Sequence, residues 1–444
     1  MRALPLALLL APPALAQESA EAHYAAGVAA LQQKDADAAI AALEACTAAD
    51  PARADCWWEL GWARWLKSDW AGVVQAWDKV KALEPDHPQV DRHIGTARGN
   101  LEVQRMVAAA AQGAPDTVRT PPPEGATVRL RAAGDVMLGT DFPAGNLPPN
   151  DGAGLLDAVG PLLRDADLTF VNLEGPLCDG GFTDKCGEGE NCYAFRSPTR
   201  YGRYLADVGV DLASTANNHA SDFGDTCRME TEATLDALGI HYSGRPGTIA
   251  TVEHNGLKIG LIGFHTSDSC HNLNDTETAV ALVQAVDADH DLVIVSFHGG
   301  AEGAKALHVP HGGERFYGEN RGDLRVFTHA VVDAGADLVI GHGPHVPRAM
   351  ELYKDRLIAY SLGNFATYGR FNLSGYLGVG LILDVTLDAR GRFAGGRILP
   401  TLQEGEGVPA PDPEGQAIDL IRQLSAEDFP ETGVKVAKDG SIGR

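Results

Sequence analysis

Between residues 127 and 364 one arrangement recurs seven times: a short apolar run that finishes on an acid, an amide or an imidazole. "VRLRAAGD" ends in Asp135, "DLTFVNLE" in Asn172 and Glu174, and "VDLASTANNH" in Asn217, Asn218 and His219. "LKIGLIGFH" ends in His265, "DLVIVSFH" in His298, "ADLVIGHGPH" in His342 and His345, and "RLIAYSLGN" in Asn364. Runs of this kind read as strands, and the helical stretches between them argue an α/β domain. In such sheets the carboxyl ends of the strands form one rim, where ligands bind. Amides and imidazoles at buried strand ends are costly unless something pairs with them.

The delivered groups suit a cation. Carboxylates, an amide and imidazoles, with no thiolate in the set, match one or two divalent ions such as Mn, Fe or Zn. Each residue alone has a plainer use. A histidine after a strand is commonly a satisfied structural group. Asp135, near Gly139, could form a turn. Asn217 and Asn218 could cap the next helix, and Glu174 before Gly-Pro could sit in a solvated turn. The ordered set is far more specific than any member.

Other segments bound the remaining possibilities. The opening "MRALPLALLLAPPALAQ" has the form of a secretory signal over residues 1–16, cut before Gln17. Its apolar part is too short to span a bilayer, so the expected location is exported, periplasmic or extracellular, with no membrane span. The net charge of −24 argues against nucleic acid or anionic lipid as general partners. Seven cysteines in an exported chain suggest disulfides. Cys46 and Cys56 are close enough in sequence to pair, while Cys178, Cys186, Cys192, Cys227 and Cys270 form a second group with one left over. "CDGGFTDKCGEGENC" (178–192) reads as a stapled loop, its connectivity open.

Pro51 and Pro85 stand 34 residues apart, the length of a tetratricopeptide unit. Trp57, Leu60 and Gly61 follow that repeat's W-x2-L-G spacing, Gly27 repeats the small position, and Ile94 and Gly95 begin a third partial unit. Residues 17–112 thus resemble an all-α tetratricopeptide-like domain, in which Trp57 and Trp77 would fill the gap between units. It would be a groove for a partner protein or a helical spacer. A proline-rich linker follows at 113–126. The α/β domain is expected over 127–403, and 404–444 as a loop, one short helix and a polar tail.

"GDVMLG", "NLEGPL", "ANNHASDFG", "VSFHGGAEG", "GHGPHV" and "YSLGNF", in this order, resemble the CapA (PgsA) family of poly-γ-glutamate capsule biosynthesis proteins, itself similar to calcineurin-like metallophosphoesterases. The resemblance implies a four-layer αββα sandwich with a metal site at one end. It also implies that Asp135, Glu174, Asn218, His298, His342 and His345 hold the metal and that His219 protonates a leaving group. Asn172, Asn217, His265, Glu302 and Asn364 are the accompanying candidates for substrate contact. Four positions depart from the pattern, one of them His265, which stands where the family more often has a hydroxyl residue. Met137 stands where metallophosphoesterases carry a ligand histidine, Gly343 where the family has a histidine before Pro-His, and Gly299 where it has a tryptophan. Loss of that tryptophan would open the pocket.

The implied function is synthesis or export of an anionic surface polymer, with metal-dependent hydrolysis or transfer at a phosphoester. The polymer or phosphoester is then the substrate, and the repeats offer a surface for a protein partner. One alternative is a non-catalytic module that holds the polymer at the same rim. Another is a phosphatase or phosphodiesterase unrelated to capsule, since fold alone does not set substrate. The glycine-rich stretch 308–323 reads either as a substrate loop, with His308, His311 and Arg315 meeting an anion, or as ordinary surface. The RGD at 321–323 reads as a helix start.

Overall fold

The computed structural model describes residues 13–112, 122–183, 185–186 and 193–443. The chain divides at Glu102 into two compact units. The first is helical: α1 (Pro13–Gln32), α2 (Ala36–Ala49), α3 (Ala54–Trp65), α4 (Trp70–Leu83) and the start of α5 (Val90–Ala111). Asp35 and Asp69 cap α2 and α4 by accepting from the Ala38 and Gly72 N–H groups. Gly27 and Gly61 are small for a packing reason: an added Cβ would lie 2.4 Å from Leu43 Cγ and 2.0 Å from Trp77 Nε1. Trp77 is fully buried, and Trp57 packs both against the apolar cluster that contains it and against the one formed by Ala39, Leu43, Leu60, Ala63 and Ala76. A disulfide joins Cys46 to Cys56. Residues 1–12 of the expected leader and 113–121 of the expected linker lie outside the described residues.

The second unit is a two-sheet sandwich. Its larger sheet contains β1 (Thr127–Met137), β2 (Leu168–Leu173), β3 (Leu212–Ser214), β4 (His241–Ser243), β14 (Asn364–Thr367), β15 (Val379–Asp388), β16 (Phe393–Glu404), β17 (Val408–Pro411), β18 (Lys435–Val436) and β19 (Ser441–Gly443). The order is β18-β19-β16-β15-β1-β2-β3-β4, with β14 on β1 and β17 on β16. The smaller sheet contains β5 (Ala250–His254), β6 (Leu257–His265), β7 (His271–Asn272), β8 (Leu292–His298), β11 (Leu338–His342), β12 (Met350–Tyr353) and β13 (Arg356–Ala359). Its order is β12-β13-β11-β8-β6-β5, with β7 on β6. A hairpin of β9 (Glu314–Phe316) and β10 (Glu319–Gly322) stands apart.

Alternation along the strands makes the layers. Leu130, Phe170 and Leu212 of one sheet share a core with Leu261, Ile294 and Ile340 of the other. Val171 and Ala213 face away from it, onto α6 (Gly160–Arg164), α7 (Gly202–Asp207) and α8 (Gly224–Leu238) through Leu163, Leu205 and Leu235. On the opposite side Val293 and Val339 meet α9 (Thr276–Asp287), α10 (Leu324–Asp333) and α11 (Gln416–Asp428) through Leu282, Phe327 and Leu424. The result is the four-layer αββα architecture.

Cys178–Cys227 ties the chain after β2 to α8, Cys186 is also disulfide-bonded, and Cys270 is free and buried. No helix among the described residues is long and apolar enough to cross a membrane. Asp323 of the RGD caps α10 by accepting from Val326 N–H, a helix start as expected. The C-terminal segment departs from expectation. Its helix is present as α11, but β17, β18 and β19 flank it as strands of the larger sheet. Val434, Val436 and Ile442 are buried there, in runs too short to register as strands in the sequence.

Candidate metal centre

Parallel pairing sets two rows of polar groups side by side. In the smaller sheet His265 pairs with His298, and His298 with His342, at the carboxyl ends of β6, β8 and β11. In the larger sheet Asp135 pairs with Asn172 on β2 and with Asn364 on β14, where a bulge follows it. The seven strand-end groups of the sequence therefore share one end of the sandwich.

Asp135, Glu174 and His298 are fully buried, and each offers a ligand atom within 4.8 Å of the other two. Asn172 holds the two carboxylates together, its Nδ2 donating to Asp135 Oδ1 and to Glu174 Oε2, both at 2.8 Å. His298 Nδ1 lies 3.3 Å from Glu174 Oε2, and His342 Nδ1 lies 3.4 Å from Asp135 Oδ1. His345, whose φ of 61° places it in the left-handed region, brings Nδ1 to 3.0 Å from both Asp135 Oδ2 and Asn364 Oδ1. Strain of this kind collects at functional sites.

The turn after β3 answers why two amides and a histidine stand in a row. Asn217 donates Nδ2 to the Leu173 carbonyl at 2.9 Å and accepts the His219 N–H on Oδ1 at 3.0 Å, so it shapes the turn. Asn218 Oδ1 is buried without a partner. His219 presents Nε2 3.8 Å from Glu174 Oε1, while Nδ1 sits 2.7 Å from Asp222 Oδ2. Phe195 packs on the His219 ring at 4.3 Å between centroids and also accepts Phe371 as a stacking neighbour.

The charges follow from burial and pairing. Burial alone would raise Asp135, but the neighbouring His342 and His345 imidazoles hold its carboxyl well below the usual range. Glu174 is pushed up, by burial first and by the Asp135 charge second. Burial and then the Arg321 guanidinium keep His298 neutral. Burial opposes charge on His345, yet the Asp135 hydrogen bond and the charges of Asp135, Glu174 and Glu302 raise it to about 9.

A divalent cation fits this donor set. Both ring nitrogens of His298 and of His342, Glu174 Oε1 and Asn218 Oδ1 are buried with no hydrogen-bond partner. Each such group left unpaired costs about 1–3 kcal/mol, and one or two cations among them would satisfy one nitrogen of each ring together with Glu174 Oε1 and Asn218 Oδ1. Asp135, Glu174, Asn218, His298, His342 and His345 are the residues that could hold them.

Several expectations change in detail. Asn172, Asn217 and Asn364 are buried and engaged within the protein, Asn364 donating to the Leu377 carbonyl at 3.0 Å. His265 is turned to Ser267 and Thr266, 5.5 Å ring to ring from His298 and outside the Asp135–Glu174–His298 group. Glu302 pairs with Arg321 at 2.9 Å and lies 3.8 Å from His345 Nε2. Gly299 does not open a pocket. An added Cβ there would lie 3.0 Å from the Arg321 carbonyl and from Leu273 Cδ2, because the β10 end and the following helix fill the space. Gly343, at φ 112°, allows no larger residue: its Cβ would meet the Gly299 carbonyl at 2.7 Å and His298 Cδ2 at 3.0 Å. Met137 is buried, with Sδ accepting the Gly139 N–H at 3.2 Å. In the 308–323 stretch His308 pairs with Asp428 and Arg315 with the Gly318 carbonyl, whereas Glu314 and Arg321 turn inward as braces.

Sequence reasoning missed Asp222, Lys185 and Phe195. Asp222 had a usable signal, standing three residues after His219 in one turn. Lys185 and Phe195 had none, since they arrive from a loop distant in sequence.

Comparison with known proteins places these residues in context. Residues 129–368 match the profile of a family described as bacterial capsule synthesis protein PGA_cap. Over 252 residues the chain is 27% identical to the PGA biosynthesis protein CapA of Bacillus subtilis, covering 52% of this chain and 61% of the relative. Over 229 residues it is 26% identical to the capsule biosynthesis protein CapA of Bacillus anthracis, covering 47% and 52%. A probable polyglutamine synthesis accessory protein of Mycobacterium tuberculosis is 27% identical over 232 residues, covering 45% and 55%. The match thus spans between half and two thirds of these relatives.

Proposed function

Because the chain belongs to the bacterial capsule synthesis (PGA_cap) family, we propose that it is an exported protein of anionic surface-polymer assembly that carries a metal-dependent phosphoesterase centre. The observation that carries this reading is the set of partnerless buried imidazole, carboxylate and amide atoms gathered around Asp135 and Glu174. A bound divalent ion would supply Lewis-acid charge against phosphoryl oxygens. The chain's own residues do the rest. Asn172 keeps the two carboxylates in register, Asn217 shapes the turn, and Asp222 orients His219 from the side away from the centre. His219 Nε2 is then directed into the centre, where it can give a proton to a departing oxygen. Residues 1–16 act as the export signal, and the N-terminal hairpins act as tetratricopeptide-like repeats that recruit a protein partner.

The test is to purify the protein, measure bound transition metal, and assay bis(4-nitrophenyl) phosphate with added Mn. At least one ion per chain is expected, with hydrolysis that vanishes in His219→Ala while the metal stays bound. A metal-loaded protein inert on every phosphoester tried would overturn the catalytic part. Met137, turned to the backbone instead of the centre, favours the second reading in that event: a metal-bearing rim that holds an anionic polymer without cleaving it.

A further inference from the structure

Lys185 belongs to none of the ordered motifs, yet its ammonium meets three parts of the histidine turn. Nζ is 2.7 Å from Asp222 Oδ1, 3.3 Å from the Asn218 carbonyl oxygen and 3.3 Å from His219 Nδ1. The Asp222 side chain is 1% exposed, and its other oxygen takes both the Phe195 N–H, at 2.7 Å, and His219 Nδ1. A carboxylate this deep needs a lasting opposite charge to hold one geometry. Lys185 supplies that charge from the surface side, and its chain neighbour Cys186 is disulfide-bonded. The ammonium is turned toward protein atoms on every one of these contacts, which separates it from a lysine reaching for substrate.

We propose that Lys185 is a positioning residue: it fixes the Asp222 carboxylate and the Asn218 backbone, and through them the direction in which His219 faces the Asp135–Glu174 centre. The kinetic part of this rests on the phosphoesterase reading above; the geometric part does not.

The test compares Lys185→Met, Lys185→Arg and His219→Ala in the full protein, with Lys185→Gln in place of the first should it not fold. Lys185→Met should lower kcat on bis(4-nitrophenyl) phosphate, taken per bound Mn, roughly 10- to 100-fold, the scale of a misplaced catalytic group, with KM unchanged. Lys185→Arg should restore most of kcat. Nitrogen-15 NMR of histidine-labelled protein gives an independent readout. The His219 ring signal, identified by its absence in His219→Ala, should move in Lys185→Met and return toward wild type in Lys185→Arg. A raised KM at constant kcat would make Lys185 a substrate contact and overturn the proposal. An unmoved ring signal would reduce it to a surface ion pair. Should the wild type hydrolyse no phosphoester, the phosphoesterase reading fails while the ring signal still decides the role of Lys185.

Discussion

Glu174→Gln should act in opposite directions with and without metal. Asp135 and Glu174 are both fully buried, with ligand atoms no more than 4.8 Å apart. Two charges at that distance repel by roughly 3.5 kcal/mol at an effective dielectric of about 20. Burial and then the Asp135 charge raise the Glu174 carboxyl, so protonation already relieves part of the repulsion. The net gain from a neutral, isosteric amide in metal-free protein is therefore about 1–3 kcal/mol. The Asn172 Nδ2 donor, 2.8 Å from Glu174 Oε2, keeps an acceptor in the amide oxygen. For a unit of this size the gain appears as a rise of roughly 1–4 °C in Tm. Metal reverses the comparison. At a hundredfold excess over Kd a bound ion stabilises wild type by about 2.7 kcal/mol, and the variant, lacking a carboxylate ligand, should gain far less. Thermal melts in EDTA and in excess Mn read both effects. A variant that melts lower than wild type in EDTA, or that keeps the full Mn-induced rise, would refute the reasoning.

Other outcomes follow from the same geometry. His345 is raised to about 9 by its carboxylate neighbours against the effect of burial, so it carries a proton at pH 7.5 in metal-free protein. Metal binding should release about one proton, and affinity should climb up to tenfold per pH unit toward pH 9; calorimetry in buffers of different ionisation enthalpy counts the proton. In metal-free protein the same shift, from an unfolded value of about 6.5, contributes stability present below that pH and lost as pH rises to 9; melts in EDTA across that range measure it. Arg348 is fully buried, holds Glu314 at 2.9 and 2.8 Å, and donates to the Ala301 and Ala306 carbonyls. Arg348→Ala leaves Glu314 unpaired and should lower unfolding free energy by roughly 3–5 kcal/mol in urea titration.

The rim was legible in the sequence because parallel strands deliver their ends to one side, and a polar residue closing an apolar run is visible without knowing the partner strand. The register rows of His265, His298 and His342, and of Asp135, Asn172 and Asn364, are that pattern folded. What sequence could not separate was ligand from support. Asn172, Asn217, Asn218 and Asn364 look alike in the chain, yet only Asn218 leaves its side-chain oxygen without a protein partner in the centre. Gly299 illustrates a second limit. A missing side chain reads as space, but whether space exists depends on residues 273 and 321–324, which nothing in the local sequence places there. Lys185 illustrates a third, since a lysine in a polar loop carries no periodic signal at all. The C-terminal strands were lost to brevity.

The proposed centre requires one cation shared by side chains from β1, the β2 turn and β8. Diffraction from crystals grown with Mn, at a wavelength where Mn scatters anomalously, measures this directly. The predicted result is an anomalous peak bonded by Asp135, Glu174 and His298. Crystals soaked with Mn that show density only at surface carboxylates, with His298 and Glu174 left unligated, would contradict it.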